Sequence, residues 1–327
     1  MPLLTIVIPT HDRPHFLERA IKSALTAAPS DCVEVVVVPN GGGGEWVSVK
    51  NAFLSDVRVR WFPLECAGVS KARNHGLANA RGEFVRFLDD DDYFYSEACQ
   101  KQYFMLLSTG ADICSGGIDI TSSNGVVFKI WAQPNSSDFC SAMLSPNRRV
   151  QVGGHLFRRE VLSGAKWNES QSLNEDMEWV LGLCGARELR WVRMDESVAV
   201  WTQHTGSRLS RGRDPGDKTL KYSAEMIIRT AKELELMGRF GSARQVAAAN
   251  GLWALLQKGL RYDKQYWRNI ADIADSYSCG RRPPSVIHRM PVFRYIPPLT
   301  LEFMLIPFRV AYQPVRRLLD VWGISRV

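Results

Sequence analysis

From the N-terminus to Leu88, short apolar runs rich in β-branched residues alternate with amphipathic stretches. Leu3 to Ile8, Val33 to Val38, Val57 to Phe62 and Phe84 to Leu88 read as strands, with helices predicted over about 14–28, 45–55 and 68–80. This βαβ alternation predicts a parallel sheet with helices on both faces. In such sheets the ligand crevice lies at the carboxyl ends of the strands. Four segments that follow strands collect polar or glycine-rich residues: Pro9-Thr10-His11-Asp12, Asn40 with Gly41 to Gly44, Glu65-Cys66-Ala67-Gly68, and Asp89 to Asp92. They are expected to meet in space.

Further along, the pattern becomes mixed. Strands are predicted near 111–120, 125–131, 152–157 and 189–201, with one clear helix after Asn174. Pro215 and Gly216 mark a boundary, after which Lys218 to Leu236, Ser242 to Leu260 and Lys264 to Tyr277 repeat apolar residues at helical spacing. The expected organisation is an α/β domain over 1–215 and a helical C-terminal region over 216–327. Within the latter, residues 281–327 hold seven of the sixteen prolines, eight arginines, no lysine, and Glu302 and Asp320 as the acids. Leu299 to Leu319 is apolar on one side, but Pro307 and Pro314 are predicted to break it. That favours a segment lying in a membrane interface over one long helix. A helix packed on its own domain is the competing reading.

Composition changes this picture little. Hydrophobic content of 45% and charged content of 23% are those of a globular protein, which sets aside disordered and collagen-like classes. The seven cysteines are scattered and never spaced CxxC, so reduced thiols in a cytoplasmic protein are expected rather than a disulfide framework or zinc cluster. Neither a signal peptide nor the roughly 18 apolar residues of a spanning helix is recognisable. Charge is more informative. The net +7 belongs to residues 216–327, which carry 18 Lys/Arg against 9 Asp/Glu. Such a surface attracts polyanions; a membrane surface is the partner expected here, and nucleic acid is not.

The strongest chemical signal is Phe84 to Leu88 followed by Asp89-Asp90-Asp91-Asp92. A buried strand that delivers carboxylates to one point gathers mutually repelling charge, which a divalent cation would relieve. Oxygen-only ligands suit Mg2+ or Mn2+. A solvated acidic turn capping the next helix is the alternative. Gly68 to Gly76 opens a helix with basic residues and suits an anionic ligand. Asn174-Glu175-Asp176 begins another, either as an N-cap with favourable acids or as the mount of a catalytic base.

Taken in order, Thr5 to Thr10 with Asp12-Arg13, Gly68 to Gly76, Ala80 to Glu83, Leu88 to Asp92, Asn174-Glu175-Asp176 and the loop around His204 resemble the family 2 inverting glycosyltransferases of the GT-A fold. The likeness covers about residues 3–212. It implies a metal-dependent enzyme that moves a sugar from a nucleotide-sugar donor, and the mixed region from about 111 to 201 is expected to build the acceptor side. Asp91 then corresponds to a direct metal ligand and Asp89 to a group facing ribose and metal, with Asp90 near the nucleotide and Asp92 in support. Asp176 takes the position of the catalytic base, with Glu175 beside it, and His204 that of a residue near metal and diphosphate. Pro9, Thr10 and Asp12 match the first nucleotide-binding loop, and Arg73 is a nucleotide contact. The implied acceptor is a glycan or lipid-linked precursor at the inner face of a cell membrane.

Two departures qualify the resemblance. Many relatives carry Asp-Asp-Gly-Ser where this chain has Pro39-Asn40-Gly41-Gly42, so the acid that reads the base is missing. Asn40 offers an amide oxygen that can accept from uracil N3. A UDP-sugar remains the first expectation, with GDP and dTDP donors open. The QxxRW motif of processive members is reduced to Arg190-Trp191, read here as structural, so a non-processive enzyme is expected. The rival readings are a sugar nucleotidyltransferase and a non-catalytic membrane-surface protein on the same fold.

Overall fold

A computed structural model describes residues 3–171, 173–203 and 216–321. The chain forms two compact units, Met1–Met143 with Arg148–Arg211, and Leu144–Asn147 with Gly212–Val327. The strands are β1 (Leu4–Thr10), β2 (Val33–Pro39), β3 (Val59–Trp61), β4 (Phe84–Phe87), β5 (Tyr93–Phe94), β6 (Ile113–Ser122), β7 (Val127–Trp131), β8 (His155–Arg158) and β9 (Trp191–Gln203). The helices in the first half are α1 (Pro14–Ala24), α2 (Trp46–Ala52), α3 (Val69–Ala78), α4 (Ser96–Thr109), the short α5 (Phe139–Leu144) and α6 (Glu175–Ala186).

All nine strands join one sheet in the order β3-β2-β1-β4-β8-β6-β9-β5, with β7 beside β6. β1 to β4 pair in parallel, and β8 runs antiparallel to both β4 and β6. β1 and β2 are buried along their whole length, as strands covered on both faces must be. Leu4, Ile6, Ile8, Val35 and Val37 pack with Leu17 and Ile21 of α1 in the main core. On Val7 the helix α3 sits so close that a Cβ on Gly76 would lie 2.3 Å from Val7 Cγ1. A side chain there would push α3 off the sheet, and with it the residues α3 carries.

In the second unit, α7 (Gly216–Leu236), α8 (Ser242–Gly259) and α9 (Lys264–Tyr277) are followed by the short α10 (Val286–Arg289) and by α11 (Pro298–Val321). Trp253 and Trp267 are fully buried among them. Here the sequence expectation fails: α11 runs unbroken through Pro307 and Pro314. Each proline forfeits one amide donor and crowds the preceding turn, but the first half of the helix is anchored. Leu301 is buried, and buried Glu302 accepts from Gln257 Nε2 at 2.9 Å and pairs with Arg309 at 2.6 Å, with His288 Nε2 at 3.4 Å. These contacts pack the first half of α11 on its own unit. Among the described residues, no helix is long and apolar enough to cross a membrane.

Candidate active site

β1, β2 and β4 deliver their following loops to one edge of the sheet, where side chains stitch the loops together. Asn40 donates from Nδ2 to Thr10 O at 2.8 Å, and its Oδ1 accepts from the Gly68 N–H at 2.9 Å. The His11 ring meets Asn40 O at 2.7 Å. Asp12 has a left-handed φ of +50° and accepts from the Gly43 N–H at 3.2 Å. A Cβ on Gly42 would lie 2.2 Å from that same carboxylate, so this part of the glycine string has a steric reason. Thr10 Oγ1 donates to Asp90 at 2.7 Å, joining the first loop to the acidic run.

The four aspartates divide by environment. Asp90 is fully buried, held by Thr10, the His11 amide and Arg13. Burial pushes its carboxyl up to about 7 against the pull of Arg13. Asp89, Asp91 and Asp92 can each place one carboxylate oxygen within 4.8 Å of the other two. Arg13 Nη1 donates to Asp91 at 2.8 Å, Arg19 Nη2 to the Asp91 carbonyl at 2.5 Å, and the Thr202 amide to Asp92 at 3.0 Å. A hard, oxygen-only donor set of this charge fits Mg2+ or Mn2+.

Arg73, rooted in α3, links this run to the start of α6. It is 1% exposed, donating to Asp89 at 2.7 Å, to Asp176 at 3.0 Å and to Glu175 at 3.4 Å. Burial opposes its charge, yet Asp176, Asp89 and Glu175 more than offset this and hold its proton more firmly than usual. Its guanidinium lies 4.5 Å over the Trp167 ring, and that indole stacks at 4.5 Å on Trp179 of α6. The stack fixes α6 against α3 and so fixes the reach between Arg73 and Asp176. Burial pushes the Asp176 carboxyl up to about 7, helped by Glu175 and Asp89 and opposed chiefly by Arg73, with a smaller pull from the Val152 amide. A carboxylate poised there exchanges protons readily at neutral pH.

Several expected ligand contacts turn inward. Pro9, Thr10, Asn40 and Asp90 are buried, and the polar side chains among them bond to the protein. Asn40 in particular spends its amide oxygen on Gly68 rather than offering it to a base. Arg73, expected at a nucleotide, is buried among three carboxylates. His204 lies outside the described residues. Arg190, itself exposed, donates to Asp112 at 2.8 Å, and half-buried Trp191 donates from Nε1 to Ser115 Oγ at 2.9 Å. Sequence reasoning missed Arg19, Thr202, Trp167 and Gln151, whose Nε2 reaches Asp92 at 3.4 Å. Their partners are remote in the chain, and no local pattern marks them.

Comparison with known proteins adds to this geometry. Residues 5–163 match the family described as "Glycosyl transferase family 2". The "GalNAc(5)-diNAcBac-PP-undecaprenol beta-1,3-glucosyltransferase" of Campylobacter jejuni is 38% identical over 195 residues, covering 55% of this chain and 59% of that protein. The "UDP-Glc:alpha-D-GlcNAc-diphosphoundecaprenol beta-1,3-glucosyltransferase WfgD" of Escherichia coli is 28% identical over 131 residues, 40% and 51% of the two chains. The crystal structure of S. aureus TarS 1–349 in complex with UDP-GlcNAc superposes with a TM-score of 0.56 at 18% identity, covering 84% of this chain and 90% of that one. The chain spans 18%, 21% and 63% of the uncharacterized glycosyltransferases of Rickettsia bellii, Rickettsia felis and Bacillus subtilis. The structural likeness supports the fold, an α/β GT-A sheet followed by a helical appendage. The matched segment contains the stitched loops and the acidic run, and over residues 5–163 the chain is similar to glycosyl transferase family 2.

Proposed function

We propose that this chain transfers a sugar from a nucleotide diphosphate donor, a UDP-sugar first, to a hydroxyl of a glycan or lipid-linked acceptor. The transfer is a single, non-processive displacement that inverts the anomeric carbon. The observation that carries this reading is the Arg73 bridge, 2.7 Å from Asp89 and 3.0 Å from Asp176. One guanidinium thus couples the carboxylates suited to an ion with the carboxylate suited to a base.

Asp176 accepts the acceptor's proton as the hydroxyl oxygen attacks, and the bond to the donor's diphosphate breaks on the opposite face of the sugar. Arg73 lowers the proton affinity that burial raises, keeping part of the Asp176 population deprotonated at neutral pH. Asp89, Asp91 and Asp92 would hold Mg2+ or Mn2+, which supplies positive charge against the departing diphosphate. The donor and acceptor classes are supported by the two named relatives, one acting on UDP-Glc and both on undecaprenyl diphosphate-linked sugars.

A lipid-linked acceptor requires a membrane surface, and we assign that contact to residues 281–327. Val292, Tyr295 and Phe308 are at least 70% exposed there, interspersed with exposed Arg289 and Arg294. Apolar side chains among arginines suit insertion between anionic headgroups.

The test is a nucleotide-sugar panel in thermal shift with Mn2+, followed by product analysis. A bound donor raises stability, and turnover should release nucleoside diphosphate. Release of pyrophosphate would indicate a nucleotidyltransferase instead. Asp176→Asn should lower transfer by about 10³-fold, roughly 4 kcal/mol of barrier, with donor binding retained. Unchanged turnover would remove Asp176 from the base role.

A further inference from the structure

Arg86 stands in β4, just ahead of the acidic run, and is fully buried. Among the described residues no carboxylate pairs with it, and its Nε and Nη1 have no hydrogen-bond partner. A guanidinium keeps its charge, and burying an unmatched charge is costly. An apolar side chain would fill the same space without that cost. What the guanidinium adds is a link between two segments: it lies 4.1 Å over the Phe94 ring, and its Nη2 donates to the Gly153 carbonyl at 3.0 Å.

Both segments carry parts of the site. Phe94, in β5, closely follows Asp92, and its amide donates to Ser23 Oγ at 3.1 Å. Gly153 belongs to the single turn Val152–Gly154. Gln151, just before that turn, reaches Asp92 at 3.4 Å, and the Val152 amide bonds Asp176. Gln102 of α4, also fully buried, donates from Nε2 to the Gly154 carbonyl at 3.2 Å and to the Cys114 carbonyl at 2.7 Å. The carbonyls of Gly153 and Gly154 are thus held by buried side chains, while Gln151 and Val152 meet the two carboxylates.

We infer that Arg86 is a positioning residue for sugar transfer: it fixes the 151–153 segment against Phe94, and so fixes the places of Asp92 and Asp176. The inference rests on the roles proposed above for those carboxylates and deepens them. A hydrogen bond from a charged donor is stronger than a neutral one. A planar guanidinium can stack on a ring and donate from its edge at once, whereas the point charge of lysine serves one of these contacts less well. Groups that orient metal-binding or catalytic residues typically change metal affinity or activity by about 10–100-fold when they are lost.

Arg86→Met is compared with the native protein by hydrogen exchange and by calorimetric titration of Mn2+ with UDP present. The amides of residues 151–154 should exchange about tenfold faster, and Mn2+ should bind about tenfold more weakly. Arg86→Lys should shift both in the same direction by less, and it carries the comparison if the methionine variant does not fold. A core change in the second unit, Trp267→Phe, should lower the melting temperature and leave both readings as they are. Asp176→Ala removes the acceptor of the Val152 amide, so it should speed exchange there. Adding Arg86→Met to it should bring little further increase, since the two substitutions act on one contact.

A folded Arg86 variant whose 151–154 exchange matches the native protein would overturn the inference. So would unchanged Mn2+ affinity in a variant whose turn has loosened, or additive effects of Arg86→Met and Asp176→Ala. Absence of Mn2+ binding in the native protein would count against the ion reading instead, and the coupling of the two substitutions would still decide whether Arg86 positions Asp176.

Discussion

Each unit of this protein buries acids beside arginines, and the two do so to different ends. In the first, six carboxylates, Asp89 to Asp92 with Glu175 and Asp176, gather around Arg13 and Arg73. In the second, one carboxylate, Glu302, is enclosed by Arg309, Gln257 and a His288 whose proton affinity burial lowers. Burying charge is costly unless it is matched. The Glu302 group is matched within its unit and anchors a helix. The acidic cluster gathers more carboxylates than the two arginines carry charges, an arrangement consistent with the use of a divalent cation.

The sharpest way to break this contrast is at Arg73. Arg73→Ala leaves Asp89, Glu175 and Asp176 facing one another and should cost about 3–5 kcal/mol of stability in urea unfolding. Arg73→Lys keeps the charge but loses the fork that spans the three acids, so a smaller loss is expected. Near-native stability of the alanine variant would mean the acids are not under electrostatic strain.

Glu302 offers a milder test. Burial raises its pKa above the ordinary value of 4.5. Between those values the folded state binds more protons than the unfolded state, so this group makes stability fall as pH rises through the window. Glu302→Gln should flatten that slope and lose about 1–2 kcal/mol from the Arg309 interaction. An unchanged slope would show that Glu302 is not the titrating group.

The smallest effect is expected at the surface. Replacing Val292, Tyr295 and Phe308 together by serine should reduce sedimentation with anionic vesicles about tenfold and leave the unfolding midpoint nearly unchanged, since exposed side chains contribute little to folding. Equal vesicle binding would remove the membrane role from these residues.

Much of the first unit was legible in the chain. β1, β2 and β4 are apolar runs that cannot be mistaken for solvent-facing strands, and the aspartates after Leu88 announce themselves by mutual repulsion. What was not legible is direction. That Asn40 replaces an acid is visible in sequence, whereas the turn of its amide toward Gly68 depends on where α3 begins. Arg73 reads as a nucleotide contact because two of its three carboxylate partners, Glu175 and Asp176, lie about a hundred residues along the chain. The prolines of α11 read as breaks because the group that anchors the helix, Glu302 with Gln257 and His288, is assembled from three separate segments. Local periodicity predicts elements well; it carries no information on which charges will close on each other.

The claim that the acidic cluster awaits a cation is tested most directly by calorimetric titration of Mn2+ in the presence of UDP, on the native protein and on Asp91→Asn. One site should be seen in the native protein, weakened more than tenfold by the substitution, while the same exchange at exposed Asp195 leaves it unchanged. No binding to the native protein, or equal binding to Asp91→Asn, would contradict it.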